Sequence, residues 1–575
     1  MNILLCALNA KYIHSNPAVH ILRAASGNPE AVSIAEYTIN QLKDEILADL
    51  YRRRPDVIAF SCYIWNRRMV AELVGDLALI LPETDLWLGG PEVSYDAEQE
   101  LMEFPQIRGV MAGEGEVTFR KLVECYLQAG TVAESRNQRG RDIMAEIPGI
   151  WMRDAEGNAH SAGTAIAVSL DEIPFIYGDL KEFQNRIIYY ESSRGCPFRC
   201  SYCLSSIDKT VRFRSLKLVE KELQYFLDRQ VKQVKFIDRT FNCNHDHAMA
   251  IWRYIKEHDN GITNFHFEIA ADLITEEELR LLQAMRPGLV QLEIGVQSVN
   301  EQTLQAVRRK TNLARLRTVT AQIRSGHNIH QHLDLIAGLP YEDLQSFRHS
   351  FNEVYRMYPD QLQLGFLKVL KGSYMEECCE EYHLVYRQTP PYEVLSTAWI
   401  SYEEILELKE IEEMVEVYYN SGQFFYSIAL LEQIIEEPYM LYYRLAEFYR
   451  AGGYHKNQPA RGYRYEILLN FIKSVAAEYE DLAREALTAD LYLRERLKSR
   501  PGYVRDLREW KEAIYAREIN RQDHIDVFFY PVWELEERKG GIGDWKPAQK
   551  PYFVRFDYEQ RNPLTGNARL EVLDD

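Results

Sequence analysis

Arg186-Ile-Ile-Tyr-Tyr-Glu191-Ser-Ser-Arg-Gly-Cys196-Pro-Phe-Arg-Cys200-Ser-Tyr-Cys203 joins a short apolar run to three cysteines spaced C-x-x-x-C-x-x-C. The apolar run predicts a buried strand, which places the cysteine loop at a strand's C-terminal end, where β/α barrels carry their active sites. Thiolates are the ligands that iron–sulfur clusters take, and three from one compact loop can hold three irons of a 4Fe-4S cluster with the fourth left open. An open iron is a place for chemistry. The competing reading is a structural zinc site, which needs four ligands and usually pairs two separated C-x-x-C units. Cys243, His245 and His247 are the nearby candidates for a fourth ligand, without a second cysteine pair of zinc-like spacing.

Outward from this loop, apolar runs recur near Val234–Ile237, Phe265–Ala270, Val290–Val296, His332–Ala337 and Leu362–Val369, each after a helical stretch. Six βα units in series predict a partial (β/α)6 TIM-type barrel rather than a second open sheet. Ahead of it, runs at Ile3–Leu8, Val57–Ser61, Leu86–Gly89 and Gly109–Ala112 alternate with helical patterns at Ala18–Ala25, Tyr37–Arg53, Arg67–Leu81 and Thr118–Ala129. That alternation predicts an open parallel, Rossmann-like sheet. Its strand-end loops, Asn9–His14, Ser61–Tyr63, Gly89–Glu92 and Gly113–Glu116, offer small or polar residues where such sheets bind ligands, and suit a long flat one.

Thr131–Arg141 reads as an exposed loop, Trp151–His160 as a hairpin turning at Glu156-Gly157-Asn158, and Leu170–Phe175 as a linker. Beyond Gly372 come amphipathic helices, Tyr402–Tyr418 and Ser427–Tyr449, whose tyrosine stripe reads as core. Strand-like runs follow at Val527–Val532 and Tyr552–Phe556. The expected α/β architecture has three segments: 1–185, 186–371, and a mainly helical 372–575 with terminal strands.

A chain of 575 residues exceeds what one core usually supports. A formal charge of -19 disfavours nonspecific binding to nucleic acid or to an anionic membrane. No run approaches the roughly twenty apolar residues of a membrane span. Met1–Leu8 reads as a first strand rather than a signal-peptide core, so a soluble cytoplasmic protein is expected. Nine irregularly spaced cysteines, with unlike groupings at Cys196/Cys200/Cys203 and Cys378-Cys379, indicate reduced thiols rather than a disulfide framework.

C-x-x-x-C-x-x-C at the end of a first barrel strand resembles the signature of radical S-adenosylmethionine (SAM) enzymes, and the resemblance covers Arg186 to Leu370. It implies that Cys196, Cys200 and Cys203 hold the cluster, that Tyr202 packs near the SAM adenine, and that the amino and carboxylate groups of SAM chelate the open iron. An electron passed through the cluster then cleaves the sulfonium C–S bond to a 5'-deoxyadenosyl radical, chemistry no side chain supplies. Asp238 and Thr240 resemble the second-strand motif that contacts the methionine part of SAM, without the glycine pair of some relatives. Glu268 resembles a third-strand carboxylate, Gln297 and Arg309 a polar pair near the SAM carboxylate and ribose, and Asp334 a fifth-strand group near the same ligand. Each has a plainer alternative: a barrel carboxylate can pair with arginine, and Gln297 can cap the following helix. His330 and His332 read as packing or solvent-facing groups.

Residues 1–128 resemble the cobalamin-binding domain that precedes the barrel in one branch of this family. Ser61 and Gly89-Gly90 fall where that domain places its serine loop and Gly-Gly turn around the nucleotide tail, and Gly113-Glu114 adds a further turn of that kind. Lys11 stands where D-x-H-x-x-G loops carry the cobalt-ligating histidine, which implies water or no lower ligand, with His14 as the alternative. An empty or different pocket is the alternative for the whole domain.

The resemblance as a whole is to cobalamin-dependent radical SAM enzymes with a C-terminal domain of unassigned role. It implies a methyltransferase acting on an unactivated carbon of an unknown small-molecule or peptide substrate, with flavodoxin or ferredoxin as electron donor and nucleic acid disfavoured. No catalytic side chain is singled out. The alternatives are cyclisation, rearrangement or oxidation without methyl transfer, and a non-catalytic Fe-S or zinc binding or sensor protein.

Overall fold

Continuous apolar runs such as Ile3–Leu8 suit strands buried on both faces. The computed structural model, which describes residues 1–573 other than 209, 457, 518–522, 536–541 and 544, places these runs inside a seven-stranded sheet. Its strands are β1 (Ile3–Asn9), β2 (Val32–Thr38), β3 (Val57–Ser61), β4 (Asp85–Gly89), β5 (Gly109–Met111), β6 (Ile150–Arg153) and β7 (Ala159–Ser161), in the order β2-β1-β3-β4-β5-β6-β7. The first five pair in parallel and the last two antiparallel. Helices Lys43–Arg53 and Arg67–Ile80 pack Ile46, Leu50, Val70 and Leu73 onto one face, against Leu4, Cys6, Phe60 and Leu88. Helices Pro17–Ala25 and Gly115–Ala129 pack Val19, Phe119, Leu122 and Tyr126 onto the other, against Ile3, Leu5, Ala7 and Trp87. Each such side chain contributes roughly 1.5–3 kcal/mol of burial.

Two expectations are corrected in this sheet. The helix read over Tyr37–Arg53 begins only at Lys43, because Val32–Thr38, rich in β-branched and aromatic residues, is the edge strand β2. Thr131–Arg141 is helical rather than a loop. The Thr131 hydroxyl caps Val132–Ser135 by accepting from Glu134 N–H, and the Asn137 side chain caps Gln138–Ala145 by accepting from Gly140 N–H.

The chain forms two compact units, neither continuous in sequence. One comprises Met1–Leu273, Gln305–Lys310 and Phe366–Ala398, the other Ile274–Leu304, Thr311–Gly365 and the chain from Trp399 onward. In the first, β8 (Ile188–Tyr190), β11 (Gln233–Phe236) and β12 (Asn264–Ile269) pair in parallel, in that order. A two-stranded ribbon, β9 (Ser193–Arg194) with β10 (Arg212–Phe213), flanks the cysteines. In the second, β13 (Val290–Gln297) and β14 (His330–Ala337) pair in parallel. With β15 (Gln361–Phe366), six strands make up the partial (β/α)6 barrel.

Beyond the barrel the second unit is mainly helical. The predicted helix Ser427–Tyr449 is two, Phe425–Ile434 and Pro438–Gly452: Pro438 has no N–H to continue the first and suits the opening turn of the next. Buried Tyr418 and Tyr449 satisfy each other at 2.5 Å between hydroxyls, so this part of the tyrosine stripe is core. Asp490, fully enclosed, accepts from the N–H groups of Tyr426 and Ser427 and from the Ser427 hydroxyl. No helix among the described residues is long and apolar enough to cross a membrane.

Candidate active site at the cysteine loop

The turn from β8 into the cysteine loop is anchored on Asp238, just past β11. Its carboxyl accepts from Ser192 N–H at 3.0 Å, the Ser192 hydroxyl at 2.6 Å and the Ser193 hydroxyl at 2.6 Å. Complete burial pushes Asp238 up to about 6 despite these bonds. His247, held down to about 4 by burial, lies 3.1 Å from the Ser192 hydroxyl. That hydroxyl's proton goes to Asp238, so neutral His247 donates through Nε2–H. Gly195 then turns at φ +102°, and a Cβ there would lie 2.0 Å from the Thr210 carbonyl oxygen, so only glycine fits.

Main-chain bonds pin the loop itself: Cys203 N–H to the Cys200 carbonyl at 3.1 Å, Ser201 N–H to the Val307 carbonyl at 3.0 Å, and Met375 N–H to the Ser201 carbonyl at 2.9 Å. The Thr240 hydroxyl is 3.6 Å from Cys196 Sγ, and Arg309 Nη1 is 3.8 Å from Cys200 Sγ. Burial raises the Cys200 thiol while Arg309 and Tyr202 favour its thiolate, and burial likewise raises the Tyr202 phenol. Three thiols with a guanidinium beside one of them fit an anionic cluster.

They do not fit a single zinc ion. Among the described residues, the one group of three His, Cys, Asp or Glu ligand atoms lying within 4.8 Å of one another is Glu293, His332 and Asp334. The three cysteines do not converge on a point, as zinc would require. Burial lifts the Cys243 thiol to about 11, and His247 is spent on Ser192.

Other residues read from the sequence fall in two places. Tyr202 lies in the cysteine loop, Asp238, Thr240 and Arg309 lie against it or its entering turn, and Glu268 is half-buried on β12, all in the first unit. Gln297 and Asp334 lie in the second. Gln297 ends β13 at φ +74°, and its Oε1 is buried with no hydrogen-bond partner among the described residues, an acceptor that a ligand group would satisfy. Asp334 stands opposite Gly295 on β14, with its Oδ1 3.1 Å from His332 Nε2. His332 is thus a buried partner of Asp334 rather than a solvent-facing group.

On the N-terminal sheet, the Ser61 hydroxyl accepts from Asn16 Nδ2 at 3.3 Å, and Gly89 ends β4. Gly90 turns at φ +109°, where a Cβ would lie 2.5 Å from the Cys62 carbonyl oxygen. Gly113, at φ +84°, donates its N–H to the Ser94 hydroxyl at 3.1 Å. The loops after β1, β3 and β4 expose Tyr12 (63%), Ile13 (47%), Trp65 (42%) and Tyr95 (44%), and Trp65 stacks on Tyr63 at 4.4 Å. An apolar rim at the strands' C-terminal edge fits a flat ligand such as a corrinoid. His14 Nδ1 is 2.6 Å from the Tyr189 hydroxyl. Glu114 is held in ion pairs by Arg194 and Arg212, which sequence reading missed.

Comparison with known proteins matches residues 4–123 to a B12 binding domain, residues 190–354 to the radical SAM superfamily, and residues 380–539 to a family described only as a protein of unknown function, DUF4080. An uncharacterized methyltransferase of Pyrococcus horikoshii is 30% identical over 179 residues, covering 30% of this chain and 36% of that protein. The cobalamin-dependent radical SAM methyltransferase TokK of Streptomyces tokunonensis is 26% identical over 325 residues, covering 51% of this chain and 44% of its own. The chain therefore spans less than half the length of either. Among solved structures, the cobalamin-dependent SAM radical enzyme OxsB, with aqua-cobalamin and SAM bound, superposes with a TM-score of 0.58 at 14% identity, covering 85% of this chain and 83% of that one. That likeness is one of fold. The chain thus carries, in order, a B12 binding domain, a radical SAM domain and a DUF4080 region.

Proposed function

We propose that this protein is a cobalamin-dependent radical SAM methyltransferase that methylates an unactivated carbon of a small molecule or peptide. The observation that carries the reading is the three-thiol loop with Arg309 beside Cys200, in the same unit as a sheet of the B12-binding type. Cys196, Cys200 and Cys203 would hold the cluster. Tyr202, Asp238, Thr240, Glu268, Gln297, Arg309 and Asp334 would serve SAM, and Ser61, Gly89, Gly90 and Gly113 the corrinoid. Bound together, these groups supply a hydrogen-abstracting radical and a transferable methyl.

The side chains bind and orient. Arg309 offsets the charge of the Cys200 thiolate, Asp238 fixes the loop through Ser192 and Ser193, and Gln297 Oε1 offers an acceptor to a ligand donor. Electrons would come from a flavodoxin or ferredoxin. The test is anaerobic reconstitution followed by reduction with SAM carrying a labelled methyl group. The reading expects 5'-deoxyadenosine, S-adenosylhomocysteine and label in the product. Failure to form 5'-deoxyadenosine sinks it, whereas 5'-deoxyadenosine with an unlabelled product removes the methyl transfer and leaves cyclisation, rearrangement or oxidation.

A further inference from the structure

Arg194, two residues before the first cysteine, sits among three carboxylates. Its Nη1 is 3.0 Å from Glu114, its Nη2 is 3.0 Å from Glu116, and its Nε and Nη2 are 2.9 and 2.8 Å from the two oxygens of Glu191. Glu191 belongs to the same turn, but Glu114 and Glu116 come from the far side of the sequence. Glu114 is the N-cap of the helix that follows β5, and Glu116 lies in its first turn. Four side chains, all at most about a quarter exposed, thus form one charged joint between the cysteine loop and the N-terminal sheet.

The ribbon explains why Glu114 is committed to this joint. Arg212 on β10 stands directly opposite Arg194 on β9, and like charges across a strand pair repel unless an anion is shared. Glu114 bridges both guanidinium groups, and Arg212 also donates to the Val168 carbonyl at 2.7 Å. A carboxylate already shared by two arginines has little left for a neutral corrin amide or a ribose hydroxyl.

We propose that Arg194 is a positioning residue that ties the cysteine loop to the turn after β5 through Glu114 and Glu116, and that Glu114 serves this joint rather than the corrinoid. The proposal rests on the cluster and corrinoid reading above. It makes the arginine of the Ser-Ser-Arg-Gly-Cys run a tether between two cofactor-bearing elements. It also takes Glu114 out of the residues that the sequence resemblance assigned to cobalamin.

The test uses the full chain and the variants Arg194→Gln, Arg194→Lys and Glu114→Gln. In the metal-free protein, Arg194→Gln should raise hydrogen exchange by about tenfold in both the 109–118 and 191–214 segments, since one residue holds both. After anaerobic reconstitution, the cluster midpoint potential should fall in Arg194→Gln, which removes a cation, and rise in Glu114→Gln, which removes an anion. A general loosening would move both the same way. Arg194→Lys keeps the charge but not the fork, so its exchange should rise while its potential stays near wild type. Hydroxocobalamin affinity should stay within about twofold in Glu114→Gln, as expected of a residue that does not touch the ligand. Weakening by about tenfold or more overturns the assignment of Glu114. Potential shifts of one sign in both charge-removing variants overturn the tether. Wild type that takes up no four-iron cluster, or binds no hydroxocobalamin, overturns the functional reading and this proposal with it; a fully loaded wild type with indifferent variants overturns the tether alone.

Discussion

Asp238 and Ser192 are joined twice, by the serine N–H at 3.0 Å and by its hydroxyl at 2.6 Å, so one buried carboxyl fixes both the backbone and the side chain of the turn entering the cysteine loop. Asp238→Ala leaves an N–H and two hydroxyls without their acceptor, at a cost of about 2–4 kcal/mol. The urea midpoint should fall, and reconstituted protein should lose iron to a chelator faster than wild type. Unchanged stability and iron retention would remove Asp238 as the anchor.

Serine at Cys196, Cys200 or Cys203 should each abolish the broad visible absorption of a reconstituted 4Fe-4S cluster while leaving the far-ultraviolet circular dichroism intact. Cys243→Ser and Cys378→Ser should keep it. Retention of full absorption in any of the first three, or its loss in Cys243→Ser, contradicts the three-thiol donor set.

Gly90 and Gly157 make a matched pair, with φ of +109° and +90°, but a Cβ on Gly90 meets the Cys62 carbonyl oxygen at 2.5 Å whereas one on Gly157 meets nothing within 4 Å. Gly157→Ala should therefore cost about 1 kcal/mol from backbone strain alone. Gly90→Ala should cost several times more and lower hydroxocobalamin binding, because the loops after β3 and β4 interlock there through the Cys62 N–H and the Gly89 carbonyl at 2.7 Å. Equal melting temperatures for the two variants would refute the close-packing argument.

Asp490 is raised by burial to about 7 against the bonds from Ser427 and Tyr426. A carboxyl whose folded pKa lies above its unfolded value favours folding when protonated. Its contribution is fully present below the unfolded pKa and is lost as pH rises through about 7. Raising the pH from about 5 to about 8 should cost roughly 3 kcal/mol through this group. Urea midpoints of wild type and Asp490→Asn at both pH values isolate the effect: the variant should show the shallower pH dependence, and equal slopes would count against it.

The cysteine loop was legible because its information is local: three thiols in eight residues, after an apolar run, need no distant partner to be recognised. The barrel beat and the N-terminal alternation were legible for a related reason, since strands buried on both faces read as uninterrupted apolar runs. β2 was not, because Val32–Thr38 is an edge strand with polar residues interleaved and merges with the helix after it. Pro438 did announce the break in Ser427–Tyr449, but the flanking apolar periodicity masked it. The Arg194 joint was invisible for another reason: Glu114 and Glu116 lie at the start of the helix after β5, and no spacing rule links an arginine beside the cysteine loop to them. Gln297 and Asp334 were named by resemblance, whereas the pairing of Asp334 with His332 depends on strand register, which sequence alone did not supply.

Phe366–Ala398 begins at the last residue of β15 and runs on past the barrel, yet it belongs to the unit of the N-terminal sheet. Within it, Met375 donates to the Ser201 carbonyl in the cysteine loop, Tyr392 donates to buried Glu92, and Lys371 pairs with Asp96 at 3.0 Å. A fragment cut after the last barrel strand would keep all three cysteines yet strip their loop of a main-chain bond and expose Glu92. Dissection of this protein by recombinant truncation therefore has to carry the chain through Ala398 before iron binding in the shortened product says anything about the intact one.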